Sequence, residues 1–156
     1  MTHPDAFHRR LHQITPTLLS GRTAQTPGMR RLEALSGTTV GSDRLWMGQT
    51  LVAPSTNSGD HHHGASETGI YIVSGNPEFV FLDETTGEET RLRTGPGDYI
   101  YVPPWVPHRE ENPDPRNEAL VVIARTTQEA IVVNVPDLTW TGPVALGTQP
   151  PDTTHP

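Results

Sequence analysis

The sequence predicts an all-β fold, a jelly-roll barrel of about eight strands. Short apolar runs recur from Met29 onward, and Gly, Pro, Asn or acidic residues separate most of them. No segment sustains a helical period over three turns, and 14 Gly and 16 Pro residues are too many for a helical bundle. A chain of 156 residues fits one domain, and a jelly roll protects its sheet edges at this size.

Eight runs are interpreted as strands. Character alternates along residues 78–81 and 90–93, which is typical of a strand with one buried face. The stretch ALVVIA is apolar throughout, which predicts a strand inside a sheet. In chain order the runs are MRRLEAL, RLWMGQTLVA, GIYIVSG, EFVFLD, ETRLRT, DYIYVPP, EALVVIA and AIVVNV.

The composition divides the chain into three segments. Residues 1–28, with scattered His and Arg, are predicted to form an N-terminal arm. Residues 29–136 contain the apolar runs and are predicted to form the barrel. Residues 137–156 are rich in Pro and Thr and are predicted to form a tail.

Charge and composition exclude several classes of partner. A formal net charge of -7 disfavours nucleic acid, whose phosphates require clustered cations. The chain has no cysteine, so disulfides are excluded and any metal must be bound by nitrogen or oxygen. The N-terminus has no apolar run long enough for a signal peptide or a membrane span, which predicts a cytoplasmic protein without a membrane partner.

A run of three histidines is the strongest candidate for chemistry. On a strand, His61 and His63 would project to one side and His62 to the other. His108 follows a rigid, Pro-rich turn, and in a barrel it could meet the first pair across the lumen. Three imidazoles, with or without Glu67, would bind one divalent transition metal, Fe, Ni, Mn, Co or Zn. The remaining histidines are interpreted as surface residues: His3, His8, His12 and His155.

The region around His108 resembles the second motif of the cupin superfamily. That motif has Gly, five residues, Pro-x-Gly, two residues, His, three residues and Asn. This chain meets it at every spacing with Gly97, Pro103, His108 and Asn112, and Trp105 stands where the family usually has Gly. The resemblance implies a small, single-domain, metal-binding jelly-roll cupin.

The histidine run resembles the first cupin motif, His-x-His, three or four residues, Glu, six residues and Gly. His61, His63 and Glu67 meet its first part, but seven residues rather than six separate Glu67 from Gly75. Counting back from Gly75 gives Thr68, and one strand cannot turn both residues inward. The resemblance implies either three histidines with Glu67 as ligands, which the spacing from His63 favours, or three histidines alone with Glu67 as a neighbouring base.

Three aromatic residues are predicted to contact a substrate: Trp105, Tyr71 and Tyr101. Trp105 lies in the turn that presents His108, where its ring could roof the pocket or reach a partner chain. The acidic pair Glu110 and Glu111 is interpreted as exposed turn charge. Four arginines are interpreted as mostly solvated, although one near the mouth would suit an acidic or enolate substrate: Arg30, Arg31, Arg44 and Arg109.

The resemblance implies a metal-dependent enzyme with a small-molecule substrate, and a homodimer is expected because small cupins often form one. The preferred function is an oxygenase acting on an enolisable or aromatic metabolite, with Glu67 as catalytic residue. One alternative is a redox-neutral isomerase, polyketide cyclase or lyase, in which a Lewis-acidic metal polarises a carbonyl. Another is a small-molecule-binding cupin without catalysis.

Overall fold

The computed structural model describes residues 6–83 and 85–136, so the predicted tail lies outside the described residues. Within them, the chain forms eleven strands, one α-helical turn, α1 (Gly37–Val40), and two 3₁₀ turns, at Ala6–His8 and Pro16–Leu18. None of these described helices is long and apolar enough to cross a membrane. The strands are β1 (Met29–Leu35), β2 (Trp46–Val52), β3 (Thr56–Asn57), β4 (His61–His62), β5 (Thr68–Ser74), β6 (Glu78–Asp83), β7 (Glu88–Arg93), β8 (Tyr99–Val102), β9 (His108–Asn112), β10 (Ala119–Arg125) and β11 (Val133–Asn134).

The strands form two antiparallel sheets, which confirms the predicted jelly roll. One sheet has the order β1-β2-β10-β5-β8. The other has the order β11-β4-β9-β6-β7, with β3 paired to β9. Strand β10 lies between β2 and β5, as its apolar sequence predicts for a strand inside a sheet.

The lumen changes from apolar to polar along β10 and β5. The inward positions of β10 run from Ala119 and Val121 to Arg125, and Arg125 pairs with Thr68 at the start of β5. Ile70 and Ile72 continue β5 into a buried apolar cluster with Phe79, Val102 and Val121. The apolar cluster therefore fills one part of the lumen and leaves polar side chains in the other.

The N-terminal segment covers the edge of β1. The side-chain amide of Gln25 donates to the carbonyl of Arg31 at 2.9 Å and accepts from its N–H at 2.8 Å. A backbone bridge joins Ser20 to Glu33 further along the same strand. These contacts satisfy backbone groups that an edge strand would otherwise leave open to another chain.

The structure differs from the sequence-based strand assignment in three places. Residues 108–112, interpreted as part of a turn, form β9, which pairs with both β4 and β6. Residues 37–40, interpreted as a loop, form α1, where the Ser36 hydroxyl accepts from the N–H of Thr39. The run AIVVNV contributes only two residues to β11.

The close packing around Gly48 on β2 is expected to exclude any larger side chain at this position. A Cβ at this position would collide with the carbonyl oxygen of Leu32 and with the Trp46 ring. We expect Gly48→Ala to lower the free energy of unfolding by about 1–3 kcal/mol, the cost of overpacking a closely packed site. Urea unfolding would measure it.

Gly69→Ala is the matched control, because a Cβ there would meet its nearest atom, the carbonyl oxygen of Ala124, at an ordinary 4.0 Å. Its unfolding free energy should stay within about 0.5 kcal/mol of the parent value. Equal effects of the two substitutions would contradict the close approach at Gly48.

Candidate metal centre

Strand pairing brings three histidines together. His61 on β4 pairs directly with His108 on β9, and His63 follows at the end of β4. The imidazole centroids of His61, His63 and His108 lie 4.5–4.9 Å apart. His62 points away, and its ring contacts Trp105 at 5.7 Å. The predicted alternation of the histidine run is therefore confirmed.

Backbone carbonyls orient all three imidazoles in the same way. Because a carbonyl oxygen only accepts hydrogen bonds, each Nδ1 must carry the proton, which leaves each Nε2 with a free lone pair. The three Nδ1–oxygen distances are 2.9 Å from His61 to Gly59, 2.9 Å from His63 to Ile131 and 3.0 Å from His108 to Val106. In their neutral form, the three imidazoles therefore offer three nitrogen atoms as metal ligands.

A carboxylate completes the cluster. Glu110 lies two residues after His108 on β9, so both side chains project to the same side of the strand. One ligand atom from each of His61, His63, His108 and Glu110 can be chosen so that all four lie within 4.8 Å of one another. The Nε2 atom of His108 lies 3.8 Å from a Glu110 oxygen, beyond hydrogen-bond distance, and is buried without a partner. An N₃O donor set with an unsatisfied nitrogen fits a divalent transition metal.

The electrostatics of the cluster keep most of its donors unprotonated. Burial, aided by the charge of His108, lowers the pKa of His61 and lowers the pKa of His63 to about 4. Burial opposes the charged forms of His108 and Glu110 as well, but their mutual attraction outweighs it. The pKa of His108 is consequently raised, and that of Glu110 is lowered to about 2. Near neutral pH, the metal-free cluster thus contains two neutral imidazoles and a carboxylate.

A cavity of about 30 Å³ adjoins the cluster. His63 and Glu110 form part of its wall, together with Arg31, Thr50, Ser66, Thr68, Ile123, Arg125 and residues 130–132. The donor atoms therefore face a small space in the lumen that both polar and apolar side chains line.

The comparison with protein families identifies the fold around this cluster. The model of the cupin domain matches residues 48–124, a span that contains His61, His63, His108 and Glu110. Residues 48–124 therefore form a cupin domain. No curated protein matches its sequence closely enough to be counted as a relative.

Solved structures share the cupin fold at low sequence identity. The polyketide cyclase RemF from Streptomyces resistomycificus aligns with a TM-score of 0.63 and 22% identity, over 81% of this chain and 86% of its own. Oxalate decarboxylase from Bacillus subtilis aligns with a TM-score of 0.60 and 18% identity, over 71% of this chain and 28% of its own. A recombinant oxalate oxidase in complex with glycolate aligns with a TM-score of 0.60 and 20% identity, over 75% of this chain and 60% of its own.

In this cupin, Glu67 does not join the histidines. It is exposed, and the hydroxyl of Tyr101 donates to its carboxylate at 2.7 Å. Thr68 is buried instead and lines the lumen. The N–H of Ser66 bonds to the carbonyl of His63, so a turn takes up the extra residue before β5 begins. The count back from Gly75 therefore gives the inward residue.

Glu110 is the donor that sequence reasoning missed. The interpretation of Glu110 and Glu111 as exposed turn charge is wrong for Glu110, whose side chain is 15% exposed and directed at the histidines. Glu111 points the other way and pairs with Arg91 and Arg109. Alternation counted from His108 would have separated the two glutamates, had residues 108–112 been recognised as a strand.

The structure does not bring the predicted substrate-binding tyrosines to the cluster. Tyr71 and Tyr101 project from the outer face of β5 and β8, where Tyr71 contacts Tyr99 at 4.8 Å and Tyr101 is 59% exposed. Trp105 has a φ of 69°, a left-handed conformation that explains why the family usually has Gly there. Its ring lies against His62, outside the residues that line the cavity.

We expect Glu110→Gln to weaken metal binding by about 10–100-fold, since it removes the only anionic donor while preserving side-chain shape. Competition with a chromophoric chelator would measure the affinity. Glu111→Gln is the control from the opposite face of β9 and should bind metal as the parent does. Equal losses in both variants would argue against Glu110 as a ligand.

The metal-free protein should lose stability as pH falls from about 6.5 to about 4. The pKa of His63 falls from 6.5 in the unfolded chain to about 4 in the folded one. The unfolded state therefore binds more protons in this window, and stability rises with pH across it. The contribution of His63 is up to about 3 kcal/mol. Above this window, the raised pKa of His108 makes the stability fall as pH rises.

Urea unfolding in the presence of a chelator, repeated between pH 4 and 7, would measure this dependence. His63→Asn should make it shallower and leave the part that the lowered pKa of His61 contributes, whereas His12→Asn, a change in the exposed N-terminal segment, should not change it. An unchanged slope in His63→Asn would contradict the assignment of the effect to His63.

Proposed function

We propose that this cupin is a metal-dependent enzyme, and specifically an oxygenase acting on a small enolisable metabolite. The observation that carries the proposal is the convergence of one ligand atom from each of three histidines and one carboxylate within 4.8 Å, with the His108 Nε2 atom buried and without a hydrogen-bond partner. A buried nitrogen without a hydrogen-bond partner costs free energy, which a bound metal ion would offset.

The number of donors favours a metal that accepts more than four ligands. Four protein donors would complete a tetrahedral zinc site of the structural kind. Iron, manganese, nickel or cobalt can take five or six ligands, so positions remain for a substrate and for oxygen. The cavity beside His63 and Glu110 provides the space where such ligands would enter.

The residues of the chain have separable roles in this proposal. The backbone carbonyls of Gly59, Val106 and Ile131 fix the imidazoles with Nε2 inward. The carboxylate of Glu110 offsets part of the positive charge of a divalent ion. When bound, the metal would supply Lewis acidity and redox chemistry.

A second candidate is a redox-neutral cyclase or lyase, in which the metal only polarises a carbonyl. What favours it is the similarity to a polyketide cyclase over 81% of this chain and 86% of the cyclase.

Metal content and oxygen consumption test the proposal together. Protein purified without chelators or a nickel column should contain close to one Fe, Mn, Ni or Co per chain, counted by elemental analysis. It should consume oxygen with at least one small enolisable dicarbonyl in an oxygen-electrode assay. His108→Ala should abolish both properties, and His12→Ala should abolish neither.

Two other outcomes of these measurements would favour the remaining functions. Stoichiometric zinc, with no oxygen consumption after exchange to iron, would favour the redox-neutral enzyme. A protein that takes up no metal even after incubation with each ion would refute both enzymatic proposals and leave a small-molecule-binding cupin.

A further inference from the structure

The lumen beside the metal cluster contains two arginines. Arg31 on β1 and Arg125 on β10 line the same cavity as His63 and Glu110. Both belong to the inward faces of their strands, where Arg31 pairs with Thr50 and Arg125 pairs with Trp46. One small molecule in this cavity would touch the arginines and the metal donors at once.

The two guanidinium groups differ in burial and in the hydrogen bonds that they donate. Arg125 is 8% exposed, its guanidinium lies 3.8 Å over the Trp46 ring, and it donates to the carbonyls of Thr127 and Gln128. Arg31 is half-buried and donates from Nη1 to the carbonyl of Ala24 at 3.1 Å. Among the described residues this is its one side-chain hydrogen bond, although a guanidinium has five N–H donors. Arg31 therefore has donors available for a ligand.

Neither arginine has a carboxylate within ion-pair distance in the part of the chain that the structure describes. Burial lowers the pKa of Arg31, and it lowers the pKa of Arg125 to about 10 with the repulsion of Arg31 added. Glu110, which a bound metal would engage, favours the charge of Arg31, and Glu33 favours that of Arg125. Two cations therefore share the cavity with one carboxylate, and an anionic ligand would offset the remaining positive charge, because a buried cation without a counter-charge is costly.

A buried hydroxyl supplies an independent sign of a missing ligand. Thr50 is 2% exposed, lines the cavity, and has no hydrogen-bond partner for its Oγ1. It lies opposite Arg31 in the β1–β2 register, with both side chains on the inward face. An oxygen atom of a ligand beside Arg31 would be well placed to accept from this hydroxyl, which otherwise loses a hydrogen bond on burial.

We propose that the substrate is a small carboxylate anion, held by the guanidinium of Arg31 and the hydroxyl of Thr50, with its remaining end toward the histidine–Glu110 cluster. That the bound anion is a substrate rests on the proposed function. The anion site itself does not require a metal. Arg31 would act as a specificity-determining residue, since a planar guanidinium matches a carboxylate with two parallel hydrogen bonds.

Titration with ¹³C-labelled formate, followed by NMR, tests the site in metal-free and zinc-loaded protein at constant ionic strength. Formate is the smallest carboxylate and suits a cavity of about 30 Å³. Arg31→Gln should weaken formate binding by roughly 10–100-fold, the value of one or two charge-assisted hydrogen bonds. Thr50→Val should weaken it less, and Arg31→Lys should retain part of the affinity.

Arg30→Gln is the matched control, because Arg30 is the exposed neighbour on the outward face of the same strand. It should bind formate as the parent does. Formamide, which has a similar shape and no charge, should not compete. Equal losses in Arg30→Gln and Arg31→Gln, or competition by formamide, would overturn the proposal.

The design separates this inference from the proposed function. If the protein binds no metal but metal-free protein binds formate through Arg31, the enzymatic proposal fails and the anion site stands. If metal binds and formate binding is unaffected by Arg31→Gln, the anion site fails and the metal centre stands. Circular dichroism of each variant would establish that it folds.

Discussion

The pairing of His61 with His108 is the contact on which the rest of the site depends. It joins β4 to β9 and places two imidazoles side by side, with His63 brought in by the end of the same short strand. Strand β9 is in turn fixed by β6 along residues 78–81. Because a one-residue slip in any of these pairings would turn the donors outward, the strand register determines whether the chain can bind a metal at all.

Most of the architecture and three of the four donors could be predicted from the sequence. Apolar runs separated by turn residues mark the long strands, and the spacing from Gly97 to Asn112 identifies His108. The fourth donor could not be predicted in the same way. The position of Glu67 depends on how a turn absorbs one extra residue before β5, and that of Glu110 depends on β9, which follows a Pro-rich turn and is mostly polar. Both are decided by pairing with strands distant in sequence, which local patterns do not encode.

Strand β9 separates two layers of charge. Its inward residues His108 and Glu110 belong to the metal cluster, whereas the outward Arg109 and Glu111 belong to a network of ion pairs that includes Arg91. The outward charges form ion pairs with neighbouring residues and are partly exposed to solvent. The inward charges lie where solvent screens little, so the charge that remains unpaired there can attract an ion or a substrate.

The carbonyl of Ile131 has a consequence for how the site is assembled. It holds Nδ1 of His63 at 2.9 Å, and the segment that carries it continues into β11, which pairs with β4. The orientation of His63 thus depends on main-chain atoms 68 residues further along the chain. The geometry of the cluster is therefore set partly by a segment that supplies none of its four donors.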